Sequence, residues 1–251
     1  MREAALALSK IGLDGVEIAP TAMWSDLKDL SETEIKKTRL MLADYGVCVS
    51  GIQSLFFGHP EFQLFDRTTW PQMQSHLEMM IRLTSTLGAK VAVFGSPKNR
   101  IKGALNESEA NEIAAEFFSR VIPTLHESDV VLTLEPNVPE YGADYLLDYS
   151  SVVALSELIM SPHIAPQIDT GCLWMYQDEP VIEFQKYAPH HIHLSTPNLK
   201  SVPGNHSFDE FLNMVYQNEY RGWITIETIG SSLENATASS IWLYNKLKGL
   251  K

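Results

Sequence analysis

Four short apolar runs in this chain each end on a residue that can hold a metal ion or move a proton. VVLTLEPN carries Glu135, IAPQID ends on Asp169, HHIH ends on His193 and WITIE ends on Glu227. A strand buried in a parallel sheet is apolar on both faces, so a charged group at its last position needs a reason. Two glutamates, one aspartate and one histidine form an O/N donor set suited to one divalent cation, because hard ions take carboxylates and tolerate imidazole. Such an ion would polarise a carbonyl, and a positioned carboxylate could then move a proton on the neighbouring carbon. Taken singly, each residue is as readily a strand cap or a partner for a helix terminus. The repetition at four strand ends favours a site.

The elements that must position these residues alternate regularly. A helical pattern over Arg2–Lys10 stops at Gly12 and Gly15, before the strand GVEIAP. Ser31 with Glu34 makes a capping box for a helix that runs toward Tyr45 and stops at Gly46. VCVSGIQ and KVAVFGSP read as strands, separated by an amphipathic helix from about Trp70 to Leu87. A helix over Glu109–Glu127, kinked or broken at Pro123, precedes VVLTLEPN, and helical segments separate the strands that follow. Strand–helix alternation of this kind indicates parallel βα units. Successive candidate ligands lie 24 to 34 residues apart, close to one unit of a (β/α)₈ barrel, the TIM barrel. Active sites of that fold sit at the carboxyl ends of the strands, where all four ligands fall. The expected organisation is a single barrel domain over residues 1–251. One count does not close: seven strands are legible, and the chain begins with a helix. The barrel therefore lacks its first strand, or another segment fills the gap, or the natural chain starts upstream of Met1.

Bulk properties narrow the function. With 251 residues and 45% hydrophobic content, a large core can form. A net charge of -12 disfavours a nucleic-acid partner, whose phosphates need clustered Lys and Arg. No apolar run reaches the ~18 residues of a membrane span, and MREAALALSK lacks a signal-peptide core. Cys48 and Cys172 make no disulfide framework, so a cytoplasmic, reducing location is expected.

LEPN, IDTG, HIHLSTPN with the following VPG, and GWITIE together resemble the xylose-isomerase-like sugar isomerases and epimerases, especially the ketose 3-epimerase branch. The similarity runs in order from GVEIAP to GWITIE. It implies a metal-dependent isomerase acting on a small sugar, with one divalent ion held by Glu135, Asp169, His193 and Glu227. Mn²⁺ and Mg²⁺ are the leading candidates for that ion, Co²⁺ and Zn²⁺ the others. Glu135 and Glu227 would also be the catalytic pair, moving a proton through a metal-stabilised enediolate. Substrate contacts are expected from Gln167 and His191, each two residues before a ligand on its strand, and from Asn198, Glu140 and Lys200. A homo-oligomer is left open.

The chain also departs from that pattern. Cys172 stands where a substrate histidine often follows the aspartate, Leu199 replaces the arginine after Asn198, and Glu140 is one residue from the expected place. Cys172 reads as a core residue rather than a nucleophile, and His59 and His206 as solvated surface. Two alternatives stand beside the isomerase: an AP endonuclease of the same fold, needing three zinc ions and a basic face, and a non-catalytic sugar-binding barrel.

Overall fold

Seven parallel strands, β1 (Gly15–Ile18), β2 (Cys48–Ile52), β3 (Val91–Phe94), β4 (Val131–Leu134), β5 (Ile164–Asp169), β6 (His191–Leu194) and β7 (Ile224–Ile226), pair strictly in chain order. A computed structural model of the chain describes residues 2–230 and 232–250. Helices connect successive strands and surround the sheet, which curls into a nearly closed TIM barrel.

Local chemistry sets the connections. Ser31 and Asn106 each cap a helix with a complete capping box, closed by Glu34 and Glu109. Pro123 breaks the expected Glu109–Glu127 helix in two: Glu107–Ser119 and Ile122–Ser128, with the proline in the first turn of the second. Its missing N–H costs nothing there, because that donor has no partner within the helix.

The β3 and β6 strands are buried along their whole length, as expected for a parallel sheet covered by helices. A larger apolar cluster covers the β1–β5 side, with Phe94, Phe117 and Phe118 packed edge to face and Trp70 tilted against Phe117. A smaller cluster lies under β6 and β7 around Ile192, Leu194, Phe208 and Phe211. His59 and His206 are not solvated surface. His59 stacks on Phe62 at 4.8 Å, and His206 stacks on Trp174 at 4.5 Å.

The ladder is open at one place. Among the described residues β1 pairs only with β2 and β7 only with β6, and no eighth strand lies between them. The seam is a cavity of about 440 Å³ walled by Val16, Ile224 and Ile226 and backed by Leu8, Leu243 and Leu247 from the first and last helices. The expected gap beside GVEIAP is therefore present, and β7 stays partly exposed along its length while its neighbour β6 is buried.

Edges of a sheet open locally at lower cost than its centre. In hydrogen–deuterium exchange, peptides covering 15–18 and 224–226 should therefore exchange well before those covering 91–94 and 131–134. Equal protection of all four would mean that the seam is closed by backbone pairing.

Candidate metal centre

The ladder register assembles the site. Across the β5–β6 pair Gln167 faces His191 and Asp169 faces His193, and Leu134 faces Pro166 across β4–β5. Glu135 and Glu227 follow one residue beyond their strands, held by backbone bonds from Glu135 N–H to the Phe94 carbonyl and from Glu227 N–H to the Leu194 carbonyl, both 3.2 Å. One ligand atom from each of Glu135, Asp169, His193 and Glu227 lies within 4.8 Å of the other three. The four strand ends singled out by the sequence converge on one point.

Each ligand is held from behind. Glu135 Oε1 accepts from Gln167 Nε2 at 2.9 Å, and Gln167 Oε1 in turn accepts from the Thr133 hydroxyl at 2.7 Å. Glu135 Oε2 accepts from Asn137 Nδ2 at 3.0 Å. Gly95 approaches so closely that a Cβ there would occupy the space of Glu135 Oε2. Asp169 divides its oxygens. Oδ1 caps the helix Thr170–Met175 by accepting from Cys172 N–H at 2.6 Å and also accepts from the Ser195 hydroxyl at 2.8 Å, while Oδ2 faces His193. His193 Nε2 bonds Glu17 Oε1 at 2.9 Å, which leaves Nδ1 directed into the cluster.

Electrostatics make this arrangement costly without a cation. Burial and the neighbouring Glu135 and Glu227 carboxylates push Asp169 up to about 7. Burial opposes the charge on His193 as well, but the carboxylates of Glu17, Glu227 and Glu135 outweigh it and hold the imidazole well above its ordinary range. Burial also works against Glu135, whose carboxyl is nevertheless held below the usual range by His193 and by the Asn137 amide. A buried cation, Arg100, adds positive potential near Glu135. Burial lowers it to about 10, its guanidinium lies over the Phe94 ring at 5.9 Å, and its Nε and Nη1 find no hydrogen-bond partner among the described residues. Burial and the nearby carboxylates push the Cys172 thiol up, so this residue is a neutral core thiol, not a nucleophile.

The side chains fit a divalent ion. His193 Nδ1 is buried and lies 2.8 Å from Glu135 Oε1 and 3.2 Å from Glu227 Oε2, yet it is aligned with neither as a hydrogen bond. A nitrogen so placed among three carboxylates has the geometry of a ligand atom, and the donor set suits Mn²⁺, Mg²⁺ or Zn²⁺.

The residues expected to contact substrate are placed differently. Gln167 and His191 are fully buried behind the ligands, one bonded to Glu135 and the other to Glu17. Glu140, Asn198 and Lys200 are exposed on the loops above the site. None of the five lines the cavity of about 140 Å³ beside the cluster. That cavity is bordered instead by Gln53, Ser54, Ser96, Asn137, Tyr141 and Leu199, together with Glu135, Asp169 and Glu227. The loop turns Leu199 inward because Asn198 and Leu199 both adopt left-handed backbone and the Leu199 carbonyl accepts from Ile229 N–H at 2.9 Å. Asn137 was legible as the amide two residues after Glu135 in LEPN. Glu17, Ser195 and Arg100 carried no such signal, because the partners that define them lie 174, 26 and 46 residues away.

The sequence pattern of the family described as "Xylose isomerase-like TIM barrel" matches residues 5–246. The chain belongs to this family. No curated protein sequence matches it. Among solved structures it is similar to D-psicose 3-epimerase from Clostridium cellulolyticum (TM-score 0.80, 13% identity, 99% of this chain and 93% of that one). It is also similar to 3-keto-D-glucoside 4-epimerase from E. coli (TM-score 0.75, 13% identity, 97% and 94%) and to a family 2 AP endonuclease from Brucella melitensis (TM-score 0.76, 14% identity, 93% and 90%). At these identities the likeness is one of fold.

The raised Asp169 predicts a pH effect whose sign can be checked. Folded metal-free chains keep a proton on Asp169 where unfolded chains have released it, so this group makes the fold less stable as pH rises from about 4 to about 7. Asp169→Asn keeps an acceptor for Cys172 and Ser195 and removes the charge. In EDTA at pH 8 its melting temperature should exceed that of the wild type. Mn²⁺ at 100 times its Kd should stabilise the wild type by about 2.7 kcal/mol and the variant by much less. A variant less stable in EDTA, or equally stabilised by Mn²⁺, would contradict this assignment.

Proposed function

We propose that this protein is a divalent-metal-dependent sugar isomerase, specifically a ketose epimerase, built as a single barrel domain. The observation that carries the reading is the placement of two glutamates from distant strands, Glu135 after β4 and Glu227 after β7, on the same small cavity beside one metal-type cluster. Several proteins of similar fold are named as ketose or keto-sugar epimerases, which supports the substrate class.

The ion, when bound, supplies Lewis acidity that polarises a sugar carbonyl and stabilises the charge left by loss of the adjacent proton. The chain's residues do the rest. Glu135 and Glu227 flank the site, so one can take the proton from the carbon next to the carbonyl while the other returns a proton to the opposite face. This passes through an enediolate and inverts that carbon. Gln167 and Asn137 fix the Glu135 carboxylate by donating to both its oxygens, whereas the Glu227 carboxylate is more exposed, at 18% against 11%, and accepts no hydrogen bond from another side chain among the described residues. That asymmetry leaves the Glu227 side chain freer to move during turnover. Gln53, Ser54, Ser96 and Tyr141 supply polar groups around the cavity for sugar hydroxyls. With Lys200 exposed on its loop and no lysine or arginine among the residues bordering the cavity, a neutral sugar fits better than a phosphorylated one. Two free thiols, Cys48 and Cys172, are consistent with a reducing, cytoplasmic location. Among the described residues no helix is long and apolar enough to cross a membrane.

The test is a ketose panel incubated in D₂O with Mn²⁺, followed by NMR. Wild-type protein should invert the carbon beside the carbonyl and incorporate deuterium there. Glu135→Gln and Glu227→Gln should each lower inversion by roughly 10²–10⁴-fold, the usual worth of a positioned acid or base. One of them should still exchange solvent deuterium from a single face. Full epimerase turnover in either variant would rule out the two-base mechanism. Cleavage at abasic sites in DNA, with three zinc ions bound, would favour the nuclease reading instead.

A further inference from the structure

Glu17 belongs to β1, across the open seam from β7, yet its carboxylate reaches past that strand to both histidines of β6. Oε1 lies 2.9 Å from His193 Nε2 and Oε2 lies 2.8 Å from His191 Nε2, with the Glu17 side chain only 2% exposed. The β1–β2 ladder shifts register between Val16 and Glu17, so that Glu17 aligns with Gly51. Such irregularities re-aim side chains. Gly51 also leaves room: a Cβ there would sit 3.3 Å from Glu17 Oε2 and 3.1 Å from the Val91 carbonyl.

We infer that Glu17 is a positioning residue, which fixes the proton of the His193 imidazole on Nε2 and so presents Nδ1 as a bare lone pair to the metal site. This inference rests on the metal-site reading above. A neutral imidazole carries one proton, and only the other nitrogen can ligate an ion. A carboxylate accepting at Nε2 selects that tautomer, orients the ring and raises its donor strength. His191 completes the device by occupying the second oxygen of Glu17, which stops the carboxylate from turning away. The same bonds also tie β1 to β6 across the interior, where among the described residues β1 and β7 have no backbone pairing.

A rival use of the same atoms is a second cation bound directly by Glu17, His191 and His193, whose ligand atoms also lie within 4.8 Å of one another. In that case Glu17 would be a ligand and not an orienting group. Counting ions distinguishes the two.

The experiment titrates Mn²⁺ into the full-length wild type and Glu17→Gln by calorimetry, with circular dichroism to confirm folding. It is paired with ¹⁵N NMR of the histidine rings in Zn²⁺-loaded protein. Glutamine keeps one acceptor oxygen and replaces the other with an NH₂ donor, so the two imidazoles, which bond different oxygens of Glu17, lose one of their acceptors. We expect one ion per wild-type chain, an affinity about 10–100-fold weaker in Glu17→Gln, and a His193 ring protonated on Nε2 in the zinc-loaded wild type. A purely structural role would lower the melting temperature and leave ion affinity and tautomer unchanged, which would overturn the inference while sparing the metal site. Two ions per chain would overturn it as well. No ion in the wild type would defeat the underlying reading and this inference with it. If Glu17→Gln fails to fold, the wild-type spectrum decides: a proton on His193 Nδ1 refutes the assignment.

Discussion

Three carboxylates and one imidazole, most of them buried, crowd around one point, and that concentration of like charge governs the rest of the structure. Buried carboxylates repel each other strongly in a medium of low polarisability and have lost their hydration. Burial and its two glutamate neighbours accordingly push Asp169 up to about 7. A chain would not keep such a cluster for stability, since replacing a buried charged group by a well-packed apolar one is often neutral or stabilising. A divalent cation would remove the conflict: its two charges and that of the nearby Arg100 would offset the three carboxylates, with His193 neutral.

The barrel meets this constraint through ladder register. Parallel strands place residues of neighbouring strands at equal height, so Asp169 and His193 become adjacent because Ile168 pairs with Ile192. The supporting groups then come from the layer below on the same strands: Thr133 and Gln167 behind Glu135, and His191 behind His193. Side chains two residues apart leave the same face of a strand. This explains why Gln167 and His191, which the resemblance offers as substrate contacts, lie buried behind the strand-end cluster. Only β1 departs from this simple scheme, sending Glu17 inward past a register shift and a glycine.

Much of this was legible in the sequence, and the residues that were not share a physical reason. The strands, the helices and their order follow from periodicity and from Gly and Pro punctuation. The four strand-end ligands stand out because each contradicts the apolar run before it. The missing strand could be counted, and the seam lies where the count put it. Glu17 was visible only as a carboxylate inside a strand, since its meaning depends on two histidines about 175 residues later. Arg100 follows Pro97 and Asn99 in a strand-end loop with no local signal of burial, and packing over Phe94 is what buries it. The substrate loops were the least legible. Which of Asn198, Leu199 and Lys200 turns inward is set by left-handed backbone at two non-glycine residues, a choice no local pattern announces.

The account stands or falls on one shared ion held by four strand ends. Anomalous diffraction at the manganese edge from crystals grown with Mn²⁺ would test it most directly. It predicts a single strong peak per chain, bonded at ~2.0–2.6 Å to Glu135, Asp169, Glu227 and the Nδ1 of His193. A peak bonded to Glu17 and His191, or the four side chains ordered around no peak at all, would contradict it.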